Sequence, residues 1–175
     1  MQHLAQEEFK SLIQNVSNPR HRLMLKVGFN HGLRVTELTS LTKENIRDGY
    51  VRTDRLKGSR GTIHPYVASE DPDLDEAEGL KILAGTLSNG ERLFPMTRNG
   101  VYKMMQRAGE LAGIPHHKLH PHVLKHSCAM RLIEALDIHE VQKYLGHKSL
   151  ASTGEYLKPD EDAVGRKAAR ALAGK

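Results

Sequence analysis

Four short segments of this sequence carry side chains of types that could handle a phosphate. In Gly32-Leu33-Arg34-Val35-Thr36-Glu37-Leu38, Arg34 follows one apolar stretch and precedes another, which would hold it near the core. Taken alone it reads rather as a surface arginine paired with Glu37, since long charged side chains usually reach water. Lys57-Gly58-Ser59-Arg60 is a basic turn, a kind of tip that touches phosphate backbones or is simply soluble. In His120-Pro121-His122-Val123-Leu124-Lys125-His126, His122 and Lys125 are three apart and share a helix face. They open a predicted helix, where unpaired N–H groups favour an anion. Lys125 also heads an apolar stripe through Cys128 and Ala129, and no acidic residue stands three or four positions from it. A phosphate would supply the missing charge. Metal binding by the clustered histidines is the competing chemistry, but neither a Cys pair nor a His-Glu-x-x-His pattern accompanies them. In the segment from Leu145 to Tyr156, His147 lies just past a predicted helix end and Tyr156 near the end of the next helix. A capping histidine and a core tyrosine with a hydrogen-bonded hydroxyl are the ordinary alternative there.

The elements that must position these groups follow from periodicity. Phe9, Leu12, Ile13 and Val16 predict an amphipathic helix. Ser17-Asn18-Pro19 breaks it, and Pro19 starts a second helix containing Leu23, Met24, Leu25, Val27 and Phe29, apolar nearly all round and therefore central. Gly32 is its expected cap. A short helix carries Glu37, Leu38 and Leu41. Asp48-Gly49 predicts a hairpin turn, and Tyr50 to Leu56 and Thr62 to Val67 read as strands. From Asp75 onward the pattern is helical. One helix is marked by Val101, Met104, Met105, Ala108 and Leu111, another by Leu124, Cys128, Ala129, Leu132, Ile133 and Leu136. Asp137 with Glu140 resembles a capping box, Gly146 ends that helix, and two short helices flank Pro159. The fold class is mostly α with a small antiparallel β-sheet.

The 175 residues suffice for one well-buried domain. Apolar residues are 38% and charged residues 27%, the balance of a globular protein, and no apolar run is long enough to cross a bilayer. No signal-peptide pattern opens the sequence, and the single Cys128 excludes an internal disulfide framework, so a cytoplasmic setting is expected. The formal charge of +5 makes nucleic acid a plausible partner. With no Trp and 5% aromatics, duplex binding through phosphates is favoured over a single-strand stacking platform.

Taken together and in this order, the four segments resemble the tyrosine recombinase (phage integrase) family. "GLRVTEL" is similar to its first-arginine segment, "LKGSRG" to its catalytic-lysine hairpin, "HVLKHSCA" to its His-x-x-Arg box and "LGHKSLASTGEY" to its His-to-Tyr box, with the family's usual spacing. The resemblance runs from about Leu4 to Lys158. It implies that Arg34 is the first phosphate-binding arginine, supported by Glu37, that Lys57 is the hairpin lysine and general acid, that His122 is the box histidine, that His147 fills the His-or-Trp position, and that Tyr156 is the nucleophile. Arg60, His126 and Lys148 would contact DNA. Lys125 stands where the family's second arginine is expected; it keeps the charge and loses the bidentate fork. Some members carry lysine there, so it is not read as inactivating. The link from the His box to Gly146 is one residue shorter than is common. The family's N-terminal core-binding domain is missing, so residues 1–175 read as a single catalytic domain, either a fragment or an unusually short member. Its 160–175 segment would form a C-terminal helix that docks on a neighbouring protomer.

The resemblance also implies the reaction: site-specific strand cleavage and rejoining through a covalent 3′-phosphotyrosine, with double-stranded DNA as partner and a homo-tetramer assembled on it, in the cytoplasm at the nucleoid. Neither a metal nor another cofactor is expected, because Arg34, Lys125, His122 and His147 supply the positive charge. Two other readings stay open: a non-catalytic DNA-binding relative, and a type IB topoisomerase-like enzyme that relaxes DNA.

Overall fold

Asn18 starts the central helix. In the computed structural model, which describes residues 2–54, 60–154, 168–170 and 172–173, its side chain accepts from the N–H groups of Arg20 at 2.9 Å and His21 at 3.4 Å. Pro19 occupies the first turn of α2 (Pro19–His31), where its missing N–H costs nothing. Such a cap is worth about 1 kcal/mol. Leu23, Met24, Leu25, Val27 and Phe29 are buried on nearly every side of α2, as its unbroken apolar pattern predicts. Burial of each such side chain stabilises by about 1.5–3 kcal/mol. α1 (Gln6–Gln14) buries Phe9, Leu12 and Ile13, with Phe9 stacked on Phe29 of α2 at 3.8 Å between ring centroids.

Gly32 ends α2 in the left-handed region at φ 61°. A Cβ there would lie 2.6 Å from Leu145 Cδ2, so only glycine allows both the turn and the packing. α3 (Val35–Ser40) follows at once. Behind it comes a three-stranded antiparallel sheet in the order β1 (Ile46–Arg47), β2 (Tyr50–Thr53), β3 (Thr62–Pro65). Asp48 and Gly49, both at positive φ (57° and 80°), make the tight turn between β1 and β2. The register pairs Val51 with His64 and Thr53 with Thr62.

The strands are shorter than expected. β2 ends at Thr53, and residues 55–59, which hold the end of the expected strand and most of the expected tip, lie outside the described residues. β3 stops at Pro65, after which Tyr66 N–H donates to the Gly49 carbonyl (2.8 Å) and Val67 N–H to the Glu76 carboxylate (3.1 Å). The two-residue β1 was not anticipated, being too short to show alternation. Helix also does not run continuously beyond Asp75. α4 (Ala77–Thr86) and α5 (Arg98–Leu111) are separated by a stretch with Gly90 at φ 76° and Pro95. Leu93 N–H bonds the Leu41 carbonyl there (2.8 Å), and the Arg20 side chain takes the Arg92 carbonyl (2.8 Å).

α6 (His122–Ile133) packs against α2, and α7 (Ile138–Tyr144) follows. α7 opens with the expected capping box: Asp137 accepts from His139 and Glu140 N–H at 2.7 and 2.9 Å, and Glu140 accepts from Asp137 N–H at 2.9 Å. The short α8 (Ala151–Gly154) comes next. Most of the expected C-terminal helix lies outside the described residues, although 168–170 are helical.

Candidate active site

Arg34 stands at the junction of α2 and α3, as the residue before the first turn of α3. Glu37, one turn on and 3% exposed, holds it twice, accepting from the Arg34 backbone N–H at 2.7 Å and from Nη1 at 3.1 Å. The pairing with Glu37 and the placement near the core are therefore both present, because the carboxylate is buried while the guanidinium keeps one edge at the surface. A buried carboxylate bonded in this way fixes the arginine's direction as well as its charge.

Arg34 and His122 line one cleft of about 570 Å3, together with Val35, Thr36, Arg98, Asn99, Tyr102, His120 and Pro121. His122 opens α6. Desolvation lowers its pKa first, and the charges of Lys125, His120, Arg34 and Arg98 lower it further. The ring is thus held neutral at pH 7, able to accept a proton, in surroundings that are strongly cationic. The first-turn N–H groups of Val123 and Leu124 close on the His120 and Pro121 carbonyls at 3.0 and 3.3 Å. The attraction for an anion therefore rests on the side chains more than on free helix N–H groups, contrary to expectation.

Lys125, one turn into α6, is 2% exposed. His126 is partly buried, its ring edge-on to His122 at 4.4 Å between centroids. Burial, then His122, His120 and Lys125, push its pKa down to about 4. It is neutral at pH 7 and packs beneath His122.

His147 follows the turn that ends α7, with Gly146 at φ 65°. The ring is 7% exposed, and Nδ1 lies 2.9 Å from the hydroxyl of the fully buried Thr153 on α8. Its backbone is anchored twice to Gln142, through N–H to the Gln142 carbonyl at 3.0 Å and through its own carbonyl to Nε2 at 3.2 Å. Arg60, exposed at the start of the β3 segment, donates its N–H to the Gly146 carbonyl at 2.8 Å. The hairpin is therefore tied to the turn before His147. Lys148 is exposed beside it. Lys57 and Tyr156 lie outside the described residues. Thr153, Arg98, Asn99 and Tyr102 were not anticipated. Thr153 sits inside the recognised box and its hydroxyl was the available signal, whereas the three α5 residues carry no local pattern that marks a cleft.

The profile of the Phage integrase family matches residues 2–162. The chain is 36% identical over 148 residues to tyrosine recombinase XerD of Vibrio cholerae serotype O1, covering 78% of this chain and 48% of that protein. It is 30% identical over 168 residues to tyrosine recombinase XerA of Thermococcus kodakarensis, covering 89% and 57%. It thus spans about half the length of these curated relatives. A lambda integrase dimer bound to a COC′ core site superposes with a TM-score of 0.72 at 22% identity, covering 88% of this chain and 47% of that one, which shows the same fold. With the profile spanning nearly its whole length, the chain belongs to the phage integrase, or tyrosine recombinase, family.

Proposed function

We propose that this chain is the catalytic domain of a site-specific recombinase that cleaves and rejoins duplex DNA through a 3′-phosphotyrosine at Tyr156. The observation that carries the reading is the cleft shared by Arg34 and His122, with the charges of Lys125 and Arg98 close to the His122 ring. A phosphodiester attacked by a phenol gathers negative charge on its non-bridging oxygens, and fixed cations placed around it lower that barrier. Arg34, oriented by Glu37, and Lys125 carry that charge, and His147, oriented by Thr153, donates a hydrogen bond.

Tyrosine is a poor nucleophile at its usual pKa of ~10. His122, kept neutral by its surroundings, takes the phenolic proton as the Tyr156 oxygen bonds phosphorus. The bond to the 5′ oxygen breaks, and Lys57 protonates that oxygen. The phosphotyrosine conserves the bond energy. A 5′-hydroxyl from another strand attacks phosphorus, expels Tyr156 and completes the exchange. Arg60 and Lys148, exposed on either side of the His147 turn, contact flanking phosphates, and His126 supports His122 from below. The working assembly is a tetramer on DNA, in the cytoplasm with the chromosome.

The test uses a pool of nicked duplexes of randomised sequence, in which loss of the short 5′-hydroxyl fragment traps the covalent complex. In EDTA, wild type should form an adduct visible on a denaturing gel and Tyr156→Phe should form none. An adduct that survives Tyr156→Phe, or one that appears only when Mg2+ is added, would sink the proposal.

A further inference from the structure

Outside the cleft lining lies a cluster of ionisable side chains that the proposed chemistry does not use. His31 and Glu76 are fully buried and His64 is 6% exposed. His31 Nε2 meets Glu76 Oε1, and His31 Nδ1 lies 3.2 Å from His64 Nδ1. The His64 ring stacks on Tyr144 at 3.8 Å between centroids. The Tyr144 hydroxyl donates to the Asn30 carbonyl at 3.0 Å and lies 3.4 Å from His31 Nδ1. Glu76 also accepts from Asn30 Nδ2 at 3.0 Å.

The placement of these residues along the chain matters more than their number. Asn30 and His31 are the last two residues of α2, just before Arg34. Tyr144 ends α7, three residues before His147. His64 lies on β3, in the hairpin whose Arg60 bonds Gly146. Cys128, one turn beyond Lys125 on α6, places its Sγ 3.3 Å from the Asn30 carbonyl. That carbonyl belongs to the last turn of α2, where no intrahelical donor remains for it. It joins α2 to both α6 and α7, and the stacked His64 joins β3 to the same point. The four segments that carry the candidate catalytic groups converge on one buried knot.

The knot is chemically specific. Between two imidazole Nδ1 atoms 3.2 Å apart sits one hydrogen. With the Glu76 carboxylate accepting from His31 Nε2–H, the arrangement in which His64 Nδ1–H donates to His31 Nδ1 satisfies both bonds. Apolar side chains of similar size would fill the space without fixing the angle between the segments. We propose that His31, His64 and Tyr144 are positioning residues for strand cleavage: their bonds set β3 and the His147 turn against the Arg34 segment, and so align the cations around the phosphate. This inference rests on the function proposed above.

The test measures three quantities for wild type, Tyr144→Phe, His64→Ile and His64→Asn: thermal stability, affinity for a nicked duplex recovered by wild type from the randomised pool, and the single-turnover rate of adduct formation at saturating duplex. Tyr144→Phe keeps the stack and loses the hydroxyl. His64→Ile keeps a good strand former and loses both contacts. His64→Asn loses the ring but keeps a donor where Nδ1 was. Misplacement by a fraction of an ångström to an ångström costs up to about a hundredfold in rate. Tyr144→Phe and His64→Ile should bind the duplex as wild type does and form adduct about tenfold to a hundredfold more slowly, well below their melting temperatures. His64→Asn should recover most of the rate lost in His64→Ile. If His64→Ile does not fold, Tyr144→Phe alone decides. Variants as fast as wild type at saturation, or a His64→Asn no faster than a folded His64→Ile, overturn the inference alone. A wild type that forms no adduct on any duplex overturns the functional reading and this inference with it.

Discussion

Burying a lysine ammonium costs several kcal/mol unless neighbouring groups accept its hydrogens or carry opposite charge. Lys125 is 2% exposed, one turn from His122, and its charge helps to depress the His122 pKa. Under the proposed function, an ammonium fixed one turn from His122 is a donor already in place when the transition state forms. Lys125→Ala should therefore slow adduct formation by about two to three orders of magnitude, the usual loss for one transition-state donor, while weakening duplex binding much less. Lys125→Arg should stay well above Lys125→Ala. Single-turnover cleavage and a binding isotherm check both, and wild-type cleavage by Lys125→Ala would make the residue structural. His126 belongs to the same scale. Its pKa in the fold is about 4 against an ordinary 6.5. The unfolded chain thus binds the proton first, so the stability contributed by the neutral ring is complete above pH 6.5 and is lost as the pH falls towards 4. Melting temperatures across this window should drop in wild type and drop less, by a few degrees, in His126→Phe, which keeps an edge-on ring against His122. Parallel curves for the two proteins would show that His126 does not drive the acid sensitivity.

Helix ends do much of the positioning. Three of the candidate catalytic groups sit at or just beyond one: Arg34 after α2, His122 at the start of α6, His147 after α7. Chain reversals at such ends need left-handed residues, and Gly32 is tightly constrained, since a Cβ would meet both Leu145 and Cys128. Gly32→Ala should destabilise the protein by about 2 kcal/mol or more, combining the left-handed penalty with overpacking. Because Gly32 precedes Arg34 by two residues, cleavage at saturating duplex should fall as well. Denaturant melts and single-turnover rates would measure the two effects, and an unchanged melt would contradict the packing argument.

For the whole molecule, the open question is what the C-terminal segment contributes. Val164, Ala168, Ala171 and Leu172 form a thin apolar stripe in sequence, with acidic residues at its start and basic residues at its end, an arrangement that suits a helix dipole. Leu172 is 89% exposed. A stripe this narrow gains little by folding back on its own core and more by docking on a second copy. Truncation after Lys158 should leave the melting temperature within a few degrees and abolish higher-order complexes on DNA, as read by native gels or light scattering on the duplex-bound protein. Unfolding on truncation would assign the helix to its own core.

The sequence by itself determined the class of the fold, the central place of α2, the break at Ser17-Asn18-Pro19, the caps at Gly32 and Asp137, and the order of the four chemical segments. These are local properties: each depends on spacing or on the backbone freedom of one residue, so a linear reading captures them. The extent of the strands and the buried knot depend on contacts between residues far apart in sequence. In β3, composition alone would turn Ile63 inward, yet it is 58% exposed while His64 is buried. The decision lies with Tyr144 and His31, 80 and 33 residues away, which offer an imidazole a stacking face and a hydrogen bond. His31 reads as an ordinary polar residue near a helix end until Glu76 and His64 meet it. Likewise, the spacing already puts Lys125 on the face of His122, but it is the packing of α6 on α2 that brings Arg34 to the same cleft, because burial and charge act through space and not along the chain.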